Sequence, residues 1–201
     1  MKNYLFLLTF ALFSFSVINA QSDKGDLTIA PQIGLNLSTY YTSEVDFNVK
    51  TSFAAGAIVE YYFSDRWSLR SGLLYDPMGA EDDLGNIDKL NYLTLPVNAN
   101  WHFGSNRNWY LNFGLGAAFL LNAEGELADG TTVDITDAIP GLDIGLMLGI
   151  GYKFDIGENL QLVLDYQGYG GFVNLDESDS LPFSITNSRS AFNAGLIFTL
   201  P

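Results

Sequence analysis

The chemistry open to this chain is narrow. It contains no cysteine and a single histidine, His102. Thiol nucleophiles, disulfides and cysteine-ligated zinc or iron–sulfur centres are therefore excluded, and a histidine-rich metal site with them. A Ser–His–acid hydrolase would need a hydroxyl and a carboxylate set beside that one imidazole. Six other ionisable groups stand out because they share one sequence parity within their segments: Glu60, Arg70, Asp143, Lys153, Asp165 and Arg189, three acids and three bases. Such a set can form an internal salt-bridge network or line a proton or ion path. The remaining chemistry is acidic. Asp82, Asp83, Asn86 and Asp88 place four oxygen donors in seven residues, a candidate weak calcium site at a surface loop, although the run does not match a full calcium-loop pattern. No other cofactor is expected.

These groups need positioning, and the sequence shows how. From Leu27 to Tyr41 the odd positions read Leu27, Ile29, Pro31, Ile33, Leu35, Leu37, while the even ones are small or polar. One greasy face and one small, polar face at period two is a strand pattern. It recurs seven more times, over Phe53–Phe63, Trp67–Tyr75, Leu93–Phe103, Trp109–Leu121, Leu142–Phe154, Leu160–Tyr166 and Phe192–Leu200. The connections alternate in length. Ser64–Arg66, Gly104–Asn108 and Asp155–Asn159 are short and rich in turn-forming residues, whereas Thr42–Thr51, Asp76–Tyr92, Asn122–Gly141 and Phe172–Arg189 are long.

Eight strands, short turns at one end and long loops at the other describe an all-β chain: an eight-stranded antiparallel up-and-down transmembrane β-barrel with short periplasmic turns and long extracellular loops. Phe63 and Trp67, Phe103 and Trp109, and Tyr152 and Phe154 flank the short turns, as an interfacial aromatic girdle would. The rival is a soluble periplasmic lipocalin-like ligand carrier with the greasy face inward. Its outer face would carry Gly34, Gly56, Gly72, Gly114, Gly116, Gly145, Gly149, Gly151 and Gly195 and few charges, which suits a narrow lumen better than a water-facing surface. Gly168 and Gly170 depart from the pattern by falling on the greasy face, at a bulge or at the edge of the bilayer. If Ser64–Arg66 is a three-residue turn centred on Asp65, Glu60 lies directly opposite Arg70. The six lumenal charges should then pair off, because a lone buried charge costs several kcal/mol, and the lumen should be filled by side chains rather than open as a pore. His102 falls inside, near the short-turn end, as a hydrogen-bonding residue.

The amino terminus reads as an address. Lys2, the apolar run Tyr4–Val17 and Ile18-Asn19-Ala20 match a cleaved secretory signal over residues 1–20, too short to span a membrane as a helix. Residues 21–26 would be a short periplasmic segment and 27–201 the barrel in the outer membrane of a Gram-negative cell. The whole chain has 9 basic and 23 acidic residues, a net charge of −14. Nucleic acid is therefore excluded as a partner. The expected partners are outer-membrane lipid and lipopolysaccharide, with the barrel-assembly machinery during biogenesis. Most of the acid lies in the long loops, among them Glu44, Asp46, Glu81, Glu124, Glu126, Asp129, Asp134, Asp137, Asp176, Glu177 and Asp179.

In order along the chain, Ile33-Gly34-Leu35-Asn36-Leu37-Ser38, Ala55-Gly56-Ala57 with Glu60-Tyr61, Gly72-Leu73-Leu74-Tyr75, Leu93-Thr94-Leu95-Pro96, Asp165-Tyr166 and Asn193-Ala194-Gly195 resemble the small outer-membrane β-barrel domain family of Bacteroidetes, the PorT-like or porin-family proteins. The likeness covers nearly all of the chain after the signal. It implies a fold and a compartment, not a reaction. Such barrels commonly end on an aromatic residue, whereas here Phe198 is followed by Thr199-Leu200-Pro201. Lipid A-modifying barrels are of similar size, with active residues towards the outer surface, the end opposite His102. The expectation is therefore a non-enzymatic barrel, structural or adhesive through its acidic extracellular loops; a narrow channel or a secretion-machinery accessory is the alternative.

Overall fold

The computed structural model describes residues 22–176 and 181–200, and the expected leader, residues 1–20, lies outside them. Eight long strands form the barrel: β1 (Leu27–Tyr41), β2 (Asn48–Ser64), β3 (Trp67–Met78), β5 (Ile87–Phe103), β6 (Trp109–Glu126), β8 (Leu142–Gly157), β9 (Leu160–Gly171) and β10 (Thr186–Leu200). Two short strands, β4 (Ala80–Glu81) and β7 (Thr132–Asp134), lie in the long connections. Neighbouring strands pair antiparallel, and β1 pairs with β10 from Leu27↔Leu200 to Tyr41↔Thr186, which closes the barrel and leaves neither strand as a free edge.

The two faces of each strand fall as period two requires, with their chemistry inverted relative to a soluble protein. Ile33, Phe53 and Leu148 are 68%, 78% and 54% exposed, whereas Asn36, Asn98, Asn100 and Asn112 are at most 2% exposed. Exposed branched and aromatic side chains on every strand are tolerated only where the surroundings are hydrocarbon. The lipocalin arrangement is thereby overturned. Trp67, Trp101 and Trp109 all sit beside the short turns. A chain of ring contacts runs along that rim: Trp101–Phe103 at 5.2 Å, Phe103–Trp109 at 6.2 Å, Trp109–Tyr152 at 4.8 Å and Tyr152–Phe154 at 4.5 Å.

The strands outrun their alternating patterns at the long-loop end. A tilted strand crosses the hydrocarbon in about 9–11 residues, yet β5 has 17 residues and β6 has 18. The excess extends outward as hairpins. Glu126, for example, pairs with Ile87, and Glu124 with Asp134 of β7. Polar residues on both faces of these extensions erase the period-two signal, so the sequence reads them as loop. A bulge between Asn91 and Tyr92 in the β5–β6 ladder shifts the parity of β6, so that Ala123 is buried while Leu121 is exposed. Gly168 and Gly170 sit in unbroken ladders with β8 and β10, so no bulge explains them; they border an outward-facing groove of about 420 Å³ near the long-loop end.

The first turn also differs from expectation. Its loop has two residues, Asp65 and Arg66, because Ser64 pairs with Trp67, and the ladder shifts register between Tyr62 and Ser64. The extra residue, Phe63, restores the expected register further along, and Glu60 does lie opposite Arg70. Residues Ser22–Asp26 pack on the short-turn end, where the Gly25 N–H donates to Tyr62 O at 2.7 Å and the Tyr62 N–H donates to Asp26 O at 3.0 Å.

Candidate functional site

The inward side chains stack in tiers. At the short-turn end, Glu60 on β2 receives Lys153 Nζ from β8 at 2.7 Å on Oε2, and Asn100 Nδ2 at 2.9 Å on Oε1. Lys153 Nζ also donates to Tyr62 Oη and lies 5.1 Å from the Tyr62 ring centroid. Next to this group, Arg70 on β3 reaches across to Asp165 on β9 at 2.9 Å and to Gln32 Oε1 at 3.3 Å. Tyr110 Oη donates to Asp165 Oδ2 at 2.7 Å, and Asn193 Nδ2 donates to Oδ1 at 2.6 Å. Each carboxylate thus meets one cation and several neutral donors, the condition under which a buried ion pair is tolerated.

The register opposition of Glu60 and Arg70 therefore does not make them a salt bridge. Each finds its counter-ion across the bore. Arg189, on β10, pairs with Asp76 at 3.3 Å, and Asp76 also accepts from Asn36 Nδ2 at 2.7 Å and Thr94 Oγ1 at 3.1 Å. The sequence pattern ends at Tyr75 and leaves Asp76 to the following loop. The β3 parity running through Ser68, Arg70 and Gly72 to Asp76 is the signal that finds it. Asp143, expected in an ion pair, instead accepts from Asn187 Nδ2 at 2.9 Å, and no salt bridge to it occurs among the described residues. Between the tiers, Asn112 Oδ1 receives Gln167 Nε2 at 2.6 Å and Asn98 Nδ2 at 3.2 Å.

His102 does have a hydroxyl and a carboxylate beside it. Its Nε2 lies 3.0 Å from Ser68 Oγ and 2.9 Å from Glu60 Oε1. Both contacts fall on the same ring nitrogen, whereas a hydrolytic triad needs the acid on one nitrogen and the nucleophile on the other. Ser68 and His102 are 0% and 1% exposed, so no substrate carbonyl reaches them. The trio is a packing element of the periplasmic tier.

At the long-loop end the lumen becomes largely apolar, with Asp143 and Asn187 buried at the same level. Met78, Leu90, Tyr92, Ala118 and Ala123 are fully buried there, with Tyr40, Met147 and Tyr169 against them. Gly79 links β3 to β4 with φ +125°, and a Cβ on it would lie 2.0 Å from Asp88 O, so only glycine fits this close approach. Pro77 and Met78 offer their carbonyls to the side chains of Ser52 and Lys50, each at 2.8 Å. Three lumenal cavities are water-sized, at about 20, 10 and 10 Å³.

Of the candidate calcium donors, Asp82 and Asn86 meet side chain to side chain, while Asp83 and Asp88 turn to other partners. Asp82 accepts from the N–H groups of Leu84 and Asn86 at 2.9 and 2.8 Å and from Asn86 Nδ2 at 2.7 Å. The Asn86 side chain, followed by the backbone donors, holds the Asp82 carboxyl below its usual range. Asp83 faces Asn48 at 3.5 Å and Asp88 faces Tyr40 at 3.0 Å. No cluster of three or more potential acidic, histidine or cysteine ligands occurs among the described residues.

Residues 19–177 match the family model described as outer membrane protein beta-barrel domain. Comparison with curated proteins finds no match. Among solved structures, OprG of Pseudomonas aeruginosa aligns with TM-score 0.56 and 11% identity over 90% of this chain and 98% of its own. Neisserial surface protein A aligns with TM-score 0.55 and 13% identity over 86% and 96%. Ail, the attachment invasion locus protein of Yersinia pestis, solved with the heparin analogue sucrose octasulfate, aligns with TM-score 0.51 and 15% identity over 87% and 99%. At these identities the likeness is one of fold.

Proposed function

We propose a function for a chain that belongs to the outer membrane protein beta-barrel domain family: a non-enzymatic binding protein of the outer membrane that acts through its acidic extracellular hairpins. The barrel supplies a closed, side-chain-filled scaffold in contact with outer-membrane lipid and lipopolysaccharide. We place it in the PorT-like branch of Bacteroidetes, on the ordered motifs given above.

One observation carries the reading. Glu44, Asp46, Asp83, Glu124, Asp129, Asp134 and Asp137 are all exposed on the hairpins at one end of a barrel whose lumen is filled by side chains around cavities of about 10 and 20 Å³. The ligand chemistry such a rim favours is cationic, with attraction that weakens as salt screens it. It is opposite to that of the polyanion bound by Ail. The filled lumen argues against the channel reading.

The test is binding of polylysine and of heparin to the chain in neutral lipid vesicles. Polylysine should bind, weaken with salt, and weaken again when Glu124, Asp129, Asp134 and Asp137 are changed to their amides. Heparin binding of equal strength would overturn the reading. A steady ion conductance in planar bilayers would restore the channel.

A further inference from the structure

The two ends of the lumen differ in kind, and this carries an inference beyond the binding role. We propose that the lumen is a half-channel: water enters from the periplasmic end, rises past both lower ion pairs to Asp76 and Arg189, and stops at an apolar plug.

Three observations support it. First, the cavities stand in file. One of about 10 Å³ at the periplasmic mouth borders Tyr62, His102 and Lys153. A second of about 10 Å³ borders Lys153, Glu60 and Arg70. A third of about 20 Å³ borders Arg70, Asp76 and Arg189. Successive cavities share lining residues, Lys153 and then Arg70. A cavity of roughly 10–15 Å³ holds one water if two to four polar groups face it. Second, those polar groups are present. Asn36 Oδ1, Asn98 Oδ1 and Arg189 Nε have no hydrogen-bond partner in the protein, and all three residues border the uppermost cavity while at most 4% exposed. A buried polar atom left unsatisfied costs about 1–3 kcal/mol, which a bridging water removes. Third, the lining turns largely apolar above that cavity. Met78, Leu90 and Tyr92 are 0% exposed, and the polar groups beside them are tied to one another, with Asn187 Nδ2 donating to both the Tyr92 hydroxyl and Asp143. A narrow apolar constriction excludes water and ions by dewetting. Asp76 and Arg189 are thereby in contact with the periplasmic solvent and sealed from the outside.

The chain supplies its own probes. Beyond residue 21 it has two methionines, Met78 and Met147. Both belong to the apolar cluster at the long-loop end, but Met147 also lines the uppermost cavity, whereas Met78 does not. The experiment is water-to-methyl magnetisation transfer on the chain labelled with ¹³C-methyl methionine and folded in lipid nanodiscs, with the two signals assigned through Met78→Leu. The Met147 methyl should show contact with water and the Met78 methyl none. A dry Met147 would overturn the proposal and leave the closed-barrel reading intact. A wet Met78 would overturn the plug, and bilayer conductance would then decide the closed barrel separately. Leu90→Ser should bring the Met78 methyl to a water contact equal to that of Met147, while Leu90→Ile should leave it dry. Heat-modifiability on a gel checks that both variants fold.

Discussion

Arg70 and Asp165 give the most exacting test of the lumenal network. They lie on β3 and β9, 95 residues apart in sequence, and meet at 2.9 Å with side chains 7% and 1% exposed. Replacing Arg70 by Met keeps much of the volume and removes the charge. Asp165 would then remain buried with only Tyr110 and Asn193 donating to it. Breaking a buried pair from one side costs about 3–5 kcal/mol, whereas replacing both partners by neutral groups is often neutral or stabilising. With a urea slope of about 2 kcal/mol/M, Arg70→Met should lower the unfolding midpoint by roughly 2 M. Arg70→Met with Asp165→Leu should recover most of that loss. The assay is urea titration in lipid vesicles, following tryptophan emission and the gel shift between folded and boiled forms, for the wild type, both single variants and the double. Additive losses, or a single-variant loss under about 1 kcal/mol, would refute the reasoning. The pair would then not be a desolvated bridge across the bore.

Other expectations follow from the same geometry. A Cβ at Gly151 would lie 2.4 Å from Cζ of Tyr110, which Asp165 and Arg70 hold in place, so Gly151→Ala should destabilise by about 1–3 kcal/mol in the same titration. A methyl group added at Gly170, on the outer wall, would meet nothing within 4 Å, and Gly170→Ala should leave the midpoint within about 0.5 kcal/mol of wild type. All three tryptophans lie on the periplasmic rim, so lipids brominated near the headgroup should quench their emission more than lipids brominated at the chain end; equal quenching would contradict the girdle. Asn86→Ala should raise the Asp82 titration midpoint towards the ordinary carboxylate value, read by NMR of the side-chain carboxyl. The sign is that of a depressed carboxyl: the contribution of Asp82 to loop order is present above the ordinary carboxylate value and is lost as pH falls through its own lower one.

Much of this molecule is local in origin. Period-two alternation settles which side chain faces lipid and which faces the lumen, because a strand turns by half a revolution per residue wherever it sits. Glu60, Arg70, Lys153, Asp165 and Arg189 are therefore legible as lumenal from parity alone, and Glu60 opposite Arg70 from one short hairpin. The same logic reaches its limit where alternation fades. Asp76 sits at the end of β3 beside Pro77 and Met78, and the extracellular extensions of β5 and β6 carry polar residues on both faces. Only the tertiary structure decided who pairs with whom. Barrel closure brings β2 against β8, and β3 against β9, across a bore narrow enough for side chains to span. Glu60 therefore meets Lys153, and Arg70 meets Asp165, rather than each other. Neither meeting is written in any stretch of sequence, because the distance across a closed barrel depends on the stagger of all eight strands at once.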